Sequence, residues 1–423
     1  MRFSSLSDWL GWLEKSHPVE IDLGLARVSQ VAERLALLTP TAKVITVAGT
    51  NGKGSCVTAC AGLLRAAGFS VGVYSSPHLL HYAERIQVNG VPVTDAEICE
   101  AFEKIATAAD SISLTYFEYG TLAALEIFKR RQVDFWVLEV GLGGRLDAVN
   151  IIDPDLAIIT SIALDHQDWL GDTRELIGAE KAGILRAGKP FVCADLEPPQ
   201  SVLDIAANLQ ARAYFTGKDF HYTANGKHWQ WSGKSAQGDS LTLASMVQPH
   251  LPLPSMAAAL QALFILDIRL SDTQIETVLA GLSLAGRFQK IDYHNRQFVL
   301  DVAHNPAATA FLAQRLRDEP CQGKTHGVFA MMADKDCAAS LANLTGLVDS
   351  WYAADLSYIP RAATPEMLTE HLALFNVPVL AKGAIPELLG GLLTRTAEGD
   401  RILVFGSFYT VAAALQYLQA RAV

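Results

Sequence analysis

Val44-Ile-Thr-Val-Ala-Gly-Thr-Asn-Gly-Lys-Gly-Ser55 holds the densest chemistry in the chain. β-forming residues run into a glycine-rich turn, then a lysine, then a helix-like segment from Val57 to Ala67. Such a turn cradles phosphate: backbone N–H groups point inward, the helix N-terminus adds positive potential and the lysine adds a full charge. Gly49, Gly52 and Gly54 allow the backbone to approach an anion where a Cβ would clash. The loop departs from the strict G-x-x-x-x-G-K-[ST] spacing, because Val47 stands five before Gly52 and Gly54 separates Lys53 from Ser55. A nucleoside triphosphate arrives with Mg²⁺, which takes oxygen ligands. Ser55 and Ser76 are the hydroxyl candidates and Glu139 the carboxylate candidate. A carboxylate closing a strand as apolar as Phe135–Val140 is costly unless it meets a cation.

Other residues keep two readings at this stage. His166 is either a ligand to a second ion or a structural histidine at a helix cap. Lys181, alone on a helix, reads as a solvated surface charge. Asp165-His166 has the look of half a hydrolytic triad, but no G-x-S-x-G elbow accompanies it. Asp301-Val-Ala-His-Asn-Pro306 ends one strand and opens a helix, placing an acid and His304 at a strand end. Arg287 is either a phosphate contact or an ordinary junction residue.

The elements that must position these residues alternate along the chain. Strands are expected at Val71–Ser76, Phe135–Val140, Leu156–Ile162 and Pro190–Ala194, with helices over residues 94–108, 118–131 and 175–186. That pattern predicts a doubly wound α/β domain with a mostly parallel sheet, whose ligands sit at the carboxyl ends of the strands. Ser76, Glu139, Asp165 and His166 fall on that rim with Lys53. Residues 212–243 alternate aromatic and polar side chains around Asn225-Gly226 and predict β-hairpins. Two helices follow, and a domain boundary is expected at Leu284-Ala-Gly-Arg-Phe288. Domains are therefore expected at 1–284 and 285–423. The second repeats the alternation as a smaller Rossmann-like domain without a G-x-G-x-x-G fingerprint, which argues against a dinucleotide there.

Bulk properties exclude several classes. The 423 residues are 50% hydrophobic, but no apolar run reaches the ~18 residues of a membrane span. The first residues lack the long apolar core of a signal peptide. A net charge of −10 disfavours a general nucleic-acid binder. The six scattered cysteines contain no C-x-x-C pair, a reduced, cytoplasmic pattern.

The motifs T-V-A-G-T-N-G-K-G-S, S-S-P-H-L, S-L-T-Y-F-E-Y-G, L-E-V-G-L-G-G-R-L-D, S-I-A-L-D-H, E-K-A-G-I, G-R-F and D-V-A-H-N-P occur in this order. Together they closely resemble the bifunctional dihydrofolate synthase/folylpolyglutamate synthase family, relatives of the Mur peptidoglycan ligases. The resemblance runs from about Asp22 to Thr410. It implies a P-loop Mur-ligase-like domain and a Rossmann-like C-terminal domain, with ATP lying between them. It implies that Thr50, Asn51, Gly52, Lys53, Gly54 and Ser55 hold ATP phosphates, that Ser76, Glu139 and His166 hold Mg²⁺, two ions in all, and that Lys181 is carbamylated. Arg287 and Asp301 match ATP contacts. The pterin site would use Asp22, Leu23, Gly24 and Leu25, then Thr115, Tyr116, Phe117 and Glu118, then Leu146, Asp147 and Ala148. His304 and Ser407 match the glutamate side. One departure stands out: the family usually places an ATP-contacting asparagine in a Pro-Asn-Ala-Ala run, and here the run is Pro254-Ser255-Met256-Ala257. Serine is shorter and lacks the amide's paired donor and acceptor.

The activity implied is ATP-dependent addition of L-glutamate to dihydropteroate, and of further glutamates to reduced folates, through an acyl phosphate. The expected partners are these small molecules, with no nucleic acid or membrane, and the chain is expected to be a cytoplasmic monomer. Two rivals are a Mur-type ligase acting on a UDP-muramyl substrate and a nucleotide switch without ligase activity. The S-L-T-Y-F-E run disfavours the first, and D-V-A-H-N-P in a second α/β domain disfavours the second.

Overall fold

The computed structural model describes residues 2–421. The chain folds as two compact units, one ending at Leu282 and one beginning at Ser283. The first is built on an eight-stranded sheet in the order Val91–Pro92, Ile86–Val88, Val71–Tyr74, Phe135–Glu139, Lys43–Ala48, Leu156–Ile159, Pro190–Cys193, Arg212–Phe215. From Val71–Tyr74 to Arg212–Phe215 all neighbours are parallel, and the two short strands at the other edge are antiparallel. The central strands are buried along nearly their whole length, which is why they read as unbroken apolar runs rather than alternations. Helices Lys53–Ala66 and Tyr116–Arg131 pack on the sheet, and Asp95–Ala109 packs on the helices beside it, including Tyr116–Arg131. Tyr116–Arg131 begins in a reciprocal cap between Thr115 and Glu118 and carries Lys129, Arg130 and Arg131 in its final turn. Among the described residues no helix is long and apolar enough to cross a membrane.

The hairpin region expected at 212–243 is corrected in two ways. Arg212–Phe215 joins the parallel sheet as its edge strand. The antiparallel sheet is made of His221–Asn225, His228–Lys234 and Ser240–Val247. An edge strand is partly exposed, so its side chains alternate like those of a hairpin, and pattern alone does not separate the two.

The second unit holds a six-stranded sheet in the order Gln289–Tyr293, Arg296–Asp301, Arg401–Phe405, Thr325–Phe329, Ser350–Ala354, Val379–Gly383. Strands expected from the sequence at Phe298–Val302, Gly327–Met331, Ser350–Ala354, Val377–Leu380 and Ile402–Gly406 are present within a few residues, and all pair in parallel. Gln289–Tyr293 adds an antiparallel edge that the sequence reading missed. Its turn is His294-Asn295, both at positive φ (49° and 58°). That is the two-residue hairpin geometry usually announced by Asn-Gly, here without its glycine.

Candidate active site

The glycine loop leaves the carboxyl end of Lys43–Ala48, and its helix begins at Lys53, earlier than the apolar run suggested. Gly52 sits at φ 85°, and a Cβ on it would lie 2.7 Å from Ser255 Oγ. Ser255 is buried, and its hydroxyl donates to the Gly52 carbonyl at 3.1 Å. The serine that departs from the family pattern therefore braces the turn from a second helix, Leu253–Ile265. Lys53 Nζ donates to the carbonyls of Gly49 (3.0 Å) and Thr50 (3.2 Å), so the ammonium lies over the loop it would serve. Thr50 and Asn51 are tied to the segment after Leu156–Ile159: Asn51 N donates to Ser161 Oγ at 3.0 Å, and Thr50 Oγ1 to the Ala163 carbonyl at 3.1 Å. Ser55 is 1% exposed and its Oγ has no hydrogen-bond partner. An orphaned buried hydroxyl in the first turn after a phosphate loop fits a metal-bound oxygen.

Glu139 closes its strand and is buried, and its Oε2 accepts the Ser76 N–H at 3.3 Å. The structure thus brings these two metal candidates together. His166 takes a left-handed backbone (φ 52°) before the short helix Gln167–Leu170, and its N–H donates to Asp165 Oδ1 at 2.9 Å. Among the described residues no group of three His, Cys, Asp or Glu side chains is gathered for a metal.

Lys181 is where the structure departs most from a plain sequence reading. It is 3% exposed at the end of helix Arg174–Ala182. Burial, aided by the charge of Lys53, pushes its amine down from 10.5 to about 7, against the pull of Asp165 and Asp147. Asp147 is pushed up to about 6 by burial, opposed by the N–H groups of Leu142, Val149 and Gly141 and by Lys53. The two lysines and two aspartates therefore act on one another at the strand ends.

Several of the residues expected at a pterin site are linked at the start of helix Tyr116–Arg131. Thr115 caps its helix, donating its N–H to Glu118 Oε2 at 2.7 Å. Glu118 is 3% exposed, and its other oxygen meets Arg27 Nη2 at 3.2 Å. Arg27 also grips Asp22, whose Oδ2 lies 2.7 Å from Nη1 and whose carbonyl accepts Nη2 at 2.8 Å. His17 Nε2 lies 3.2 Å from the same Asp22 oxygen. Arg27 and His17 were not singled out from sequence. The signal available was Glu118 itself, an acid within the helical stretch 118–131 that a cation had to match. Tyr116 packs edge-on to Tyr82, with the Arg85 guanidinium 5.6 Å from its ring centre. A Cβ on Gly141 would lie 2.6 Å from the Phe117 ring, and Asp147 accepts the Gly141 and Leu142 N–H groups at 3.0 and 2.9 Å. Leu146 and Ala148 flank Asp147, and Ala148 opens a short turn. Leu23 and Leu25 are half-buried, and Gly24 has open space where a Cβ would be.

In the second unit, Asp301 accepts the N–H groups of Phe288 (2.7 Å) and Ala303 (2.8 Å). Burial raises its carboxyl, and the nearby Arg287 opposes this. Arg287 stacks over Phe408, 5.1 Å from the ring centre. His304 Nδ1 lies 2.9 Å from the Val302 carbonyl. Ser407 is buried and caps helix Phe408–Gln419, accepting the Thr410 N–H at 3.1 Å. Asp301, His304 and Ser407 lie at or just past the carboxyl ends of the parallel strands Arg296–Asp301 and Arg401–Phe405, and Arg287 precedes the antiparallel edge strand Gln289–Tyr293.

Two domain families match the chain: the Mur ligase middle domain over residues 47–254 and the Mur ligase glutamate ligase domain over residues 286–408. The dihydrofolate synthase/folylpolyglutamate synthase of Escherichia coli K12 is 44% identical over 418 residues, covering 99% of this chain and 96% of the relative. The chain belongs to the dihydrofolate synthase/folylpolyglutamate synthase family. The enzyme of that name from Haemophilus influenzae is 38% identical, covering 97% of this chain and 96% of the relative. Among solved structures, Escherichia coli FolC in complex with DHPP and ADP superposes with a TM-score of 0.94 at 44% identity, covering 99% of both chains. A bifunctional folylpolyglutamate synthase/dihydrofolate synthase with Mn, AMPPNP and L-glutamate bound gives 0.90 at 45% identity, covering 98% of both. Members of this family in the Mur ligase superfamily are ATP-dependent ligases, and this chain is one of them.

Proposed function

We propose that this chain joins L-glutamate to 7,8-dihydropteroate to give dihydrofolate, and adds further glutamates to reduced folates, using ATP. The observation that carries the reading is the wall shared by two subsites. Asp147 holds the loop after Glu139 and feels the charge of Lys53, while Gly141 of that loop abuts Phe117 at the capped helix. The glycine loop and the aromatic and carboxylate side chains near Phe117 thus connect through a single loop, which supports a reading in which a nucleotide activates a pterin acid.

In the proposed reaction a substrate carboxylate oxygen attacks the γ-phosphorus of ATP, and the bond to the ADP oxygen breaks. The glutamate amine then attacks the acyl carbon, and phosphate leaves with the former carboxylate oxygen. The amine's proton passes to solvent or phosphate. The chain's own contribution is positioning and charge. Thr50 to Ser55 would cradle the phosphates, with Lys53 neutralising the transferring group, and Arg287 and Asp301 are proposed ATP contacts. Ser255 supports the loop from behind. Asp22, Leu23, Leu25, Thr115 to Glu118 and Leu146 to Ala148 would line the pterin pocket, and His304 and Ser407 would serve the glutamate side. Ser55, Ser76, Glu139 and His166 would hold Mg²⁺, two ions in the full complex. Those ions would supply charge neutralisation for the phosphoryl group, with phosphate oxygens and water completing their shells.

Lys181 is proposed to carry a carbamate. CO₂ adds only to a neutral amine, and an amine held near 7 is neutral in a large fraction of molecules at physiological pH. The amine nitrogen bonds the CO₂ carbon and gives up a proton to solvent, so a buried amine near Lys53 becomes an anion that would offset the Lys53 charge. The enzyme is proposed to act as a cytoplasmic monomer, since every proposed site residue comes from one chain and its cysteines are unpaired.

The test is ADP release by the purified chain with MgATP and L-glutamate, with and without dihydropteroate or tetrahydrofolate. Release that depends on dihydropteroate, with dihydrofolate formed, is the expected result. Stimulation by tetrahydrofolate supports the second activity. Indifference to both pterins would overturn the reading.

A further inference from the structure

The segment Thr160–His166 carries Asp165 and His166, yet it runs past the end of the sheet. The last ladder bond on its outer side is Ala194 N to the Ile159 carbonyl, 2.8 Å. Beyond it the neighbouring strand, Pro190–Cys193, has ended. Ile162 is buried, and its peptide groups still need partners. Two side chains provide them. Ile162 N–H donates to Asp195 Oδ2 at 2.7 Å, and the Ile162 carbonyl accepts Arg174 Nε at 2.9 Å. The pair is itself joined, Arg174 Nη2 to Asp195 Oδ1 at 3.1 Å. Arg174 Nη2 also donates to the Glu197 carbonyl at 2.8 Å, and Asp195 Oδ1 accepts the Glu197 N–H at 3.0 Å. An arginine and an aspartate thus stand in for the missing stretch of strand.

The opposite flank of the same segment holds the phosphate loop. Thr50 N donates to the Ser161 carbonyl at 2.6 Å, Ser161 Oγ meets both the N–H and the carbonyl of Asn51, and Ala163 N donates to Thr50 Oγ1 at 3.0 Å. Ile162 is therefore clamped from one side while its neighbours on either side grip Thr50 and Asn51 on the other. Moving the Ile162 peptide moves the loop's anchors and the turn that bears His166 together.

We propose that Arg174 and Asp195 are positioning residues for the ligase site, fixing the phosphate loop and the Asp165–His166 turn without touching nucleotide or metal. This rests on the proposed placement of His166 beside a divalent ion. Residues that orient a metal's surroundings from outside its first ring of ligands typically change affinity by about 10–100-fold when replaced. An exposed ion pair serving only the surface changes nothing of the kind.

The experiment is Mn²⁺ binding to the full chain in the presence of ADP, followed by electron paramagnetic resonance of the free ion. Variants are Arg174→Ala, Asp195→Ala and the double, with Arg130→Ala as control, because Arg130 pairs with Glu100 on the exposed face of a helix. The expected result is a rise of about tenfold or more in Kd for both single variants, with the double no worse than either, since the two act as one clamp. Arg130→Ala should leave Kd unchanged. Should Arg174→Ala or Asp195→Ala not fold, Arg174→Lys and Asp195→Asn make the same test, keeping volume while losing the fork and the charge. Mn²⁺ affinity within threefold of wild type in the folded variants would overturn the proposal. Failure of the wild-type chain to bind Mn²⁺ with ADP would instead overturn the metal-site reading on which it rests.

Discussion

Lys53 and Ser55 carry the sharpest expectations of single residues. Lys53 is held by two carbonyls of its own loop, so its charge is in place before any anion arrives. Replacing it with methionine keeps the stem and removes the charge. The expected loss is about 10²–10³-fold in kcat/KM for MgATP, of the order seen when one preorganised donor is removed from a transition state. Thermal stability should change little, and a turnover assay beside a melting curve separates the two. Ser55→Ala should raise the KM for Mg²⁺, because the orphaned hydroxyl has no other partner to serve; a KM equal to that of wild type would remove Ser55 from the metal set.

The cap of helix Tyr116–Arg131 joins element to function. Thr115 and Glu118 satisfy each other's N–H groups, and Glu118 also meets Arg27, which holds Asp22. Thr115→Ala should cost about 1 kcal/mol of stability, measured by urea unfolding. It should also raise the KM for dihydropteroate while leaving that for ATP near its wild-type value, because the displaced helix end carries Tyr116 and Phe117 and not the phosphate loop. The Thr-x-x-Glu pattern of this cap stands in the sequence, although the sequence reading starts the helix only at residue 118. The Arg27 link has no such pattern, since residue 27 lies 91 positions from Glu118 and only the folded chain brings them together.

At the scale of the whole molecule, two buried groups shape stability against pH. The folded chain holds Lys181 near 7, whereas the unfolded chain holds it near 10.5. Between those values the unfolded state binds the extra proton, so stability should rise with pH across that window. Asp147, held near 6 against 3.8, works the other way: the folded state keeps a proton that the unfolded state has lost, so its contribution falls as pH rises from 3.8 to about 6. Urea midpoints measured from pH 6.5 to 9.5 in metal-free, CO₂-free buffer should climb, and Lys181→Met should flatten the slope. An unchanged slope in that variant would show that Lys181 is not the titrating group.

What the sequence determined by itself is what short-range chemistry encodes. The glycine turn between strand and helix, the Asn225-Gly226 hairpin, the alternation of buried strands with capped helices, and the acid at the end of an apolar strand all follow from backbone preference and the cost of burying charge. What only the tertiary structure decided is the state of groups whose neighbours lie far along the chain. Lys181 read as a solvated surface lysine and is buried beside Lys53. Ser255 read as a gap in nucleotide recognition and braces the Gly52 carbonyl from 203 residues away. Arg212–Phe215 read as a hairpin strand and completes the parallel sheet. Arg174 and Asp195 stand 21 residues apart, and no local pattern marks them. Burial and electrostatic coupling depend on distance in space, and spacing along the chain reports that distance only within a turn of helix or across a hairpin.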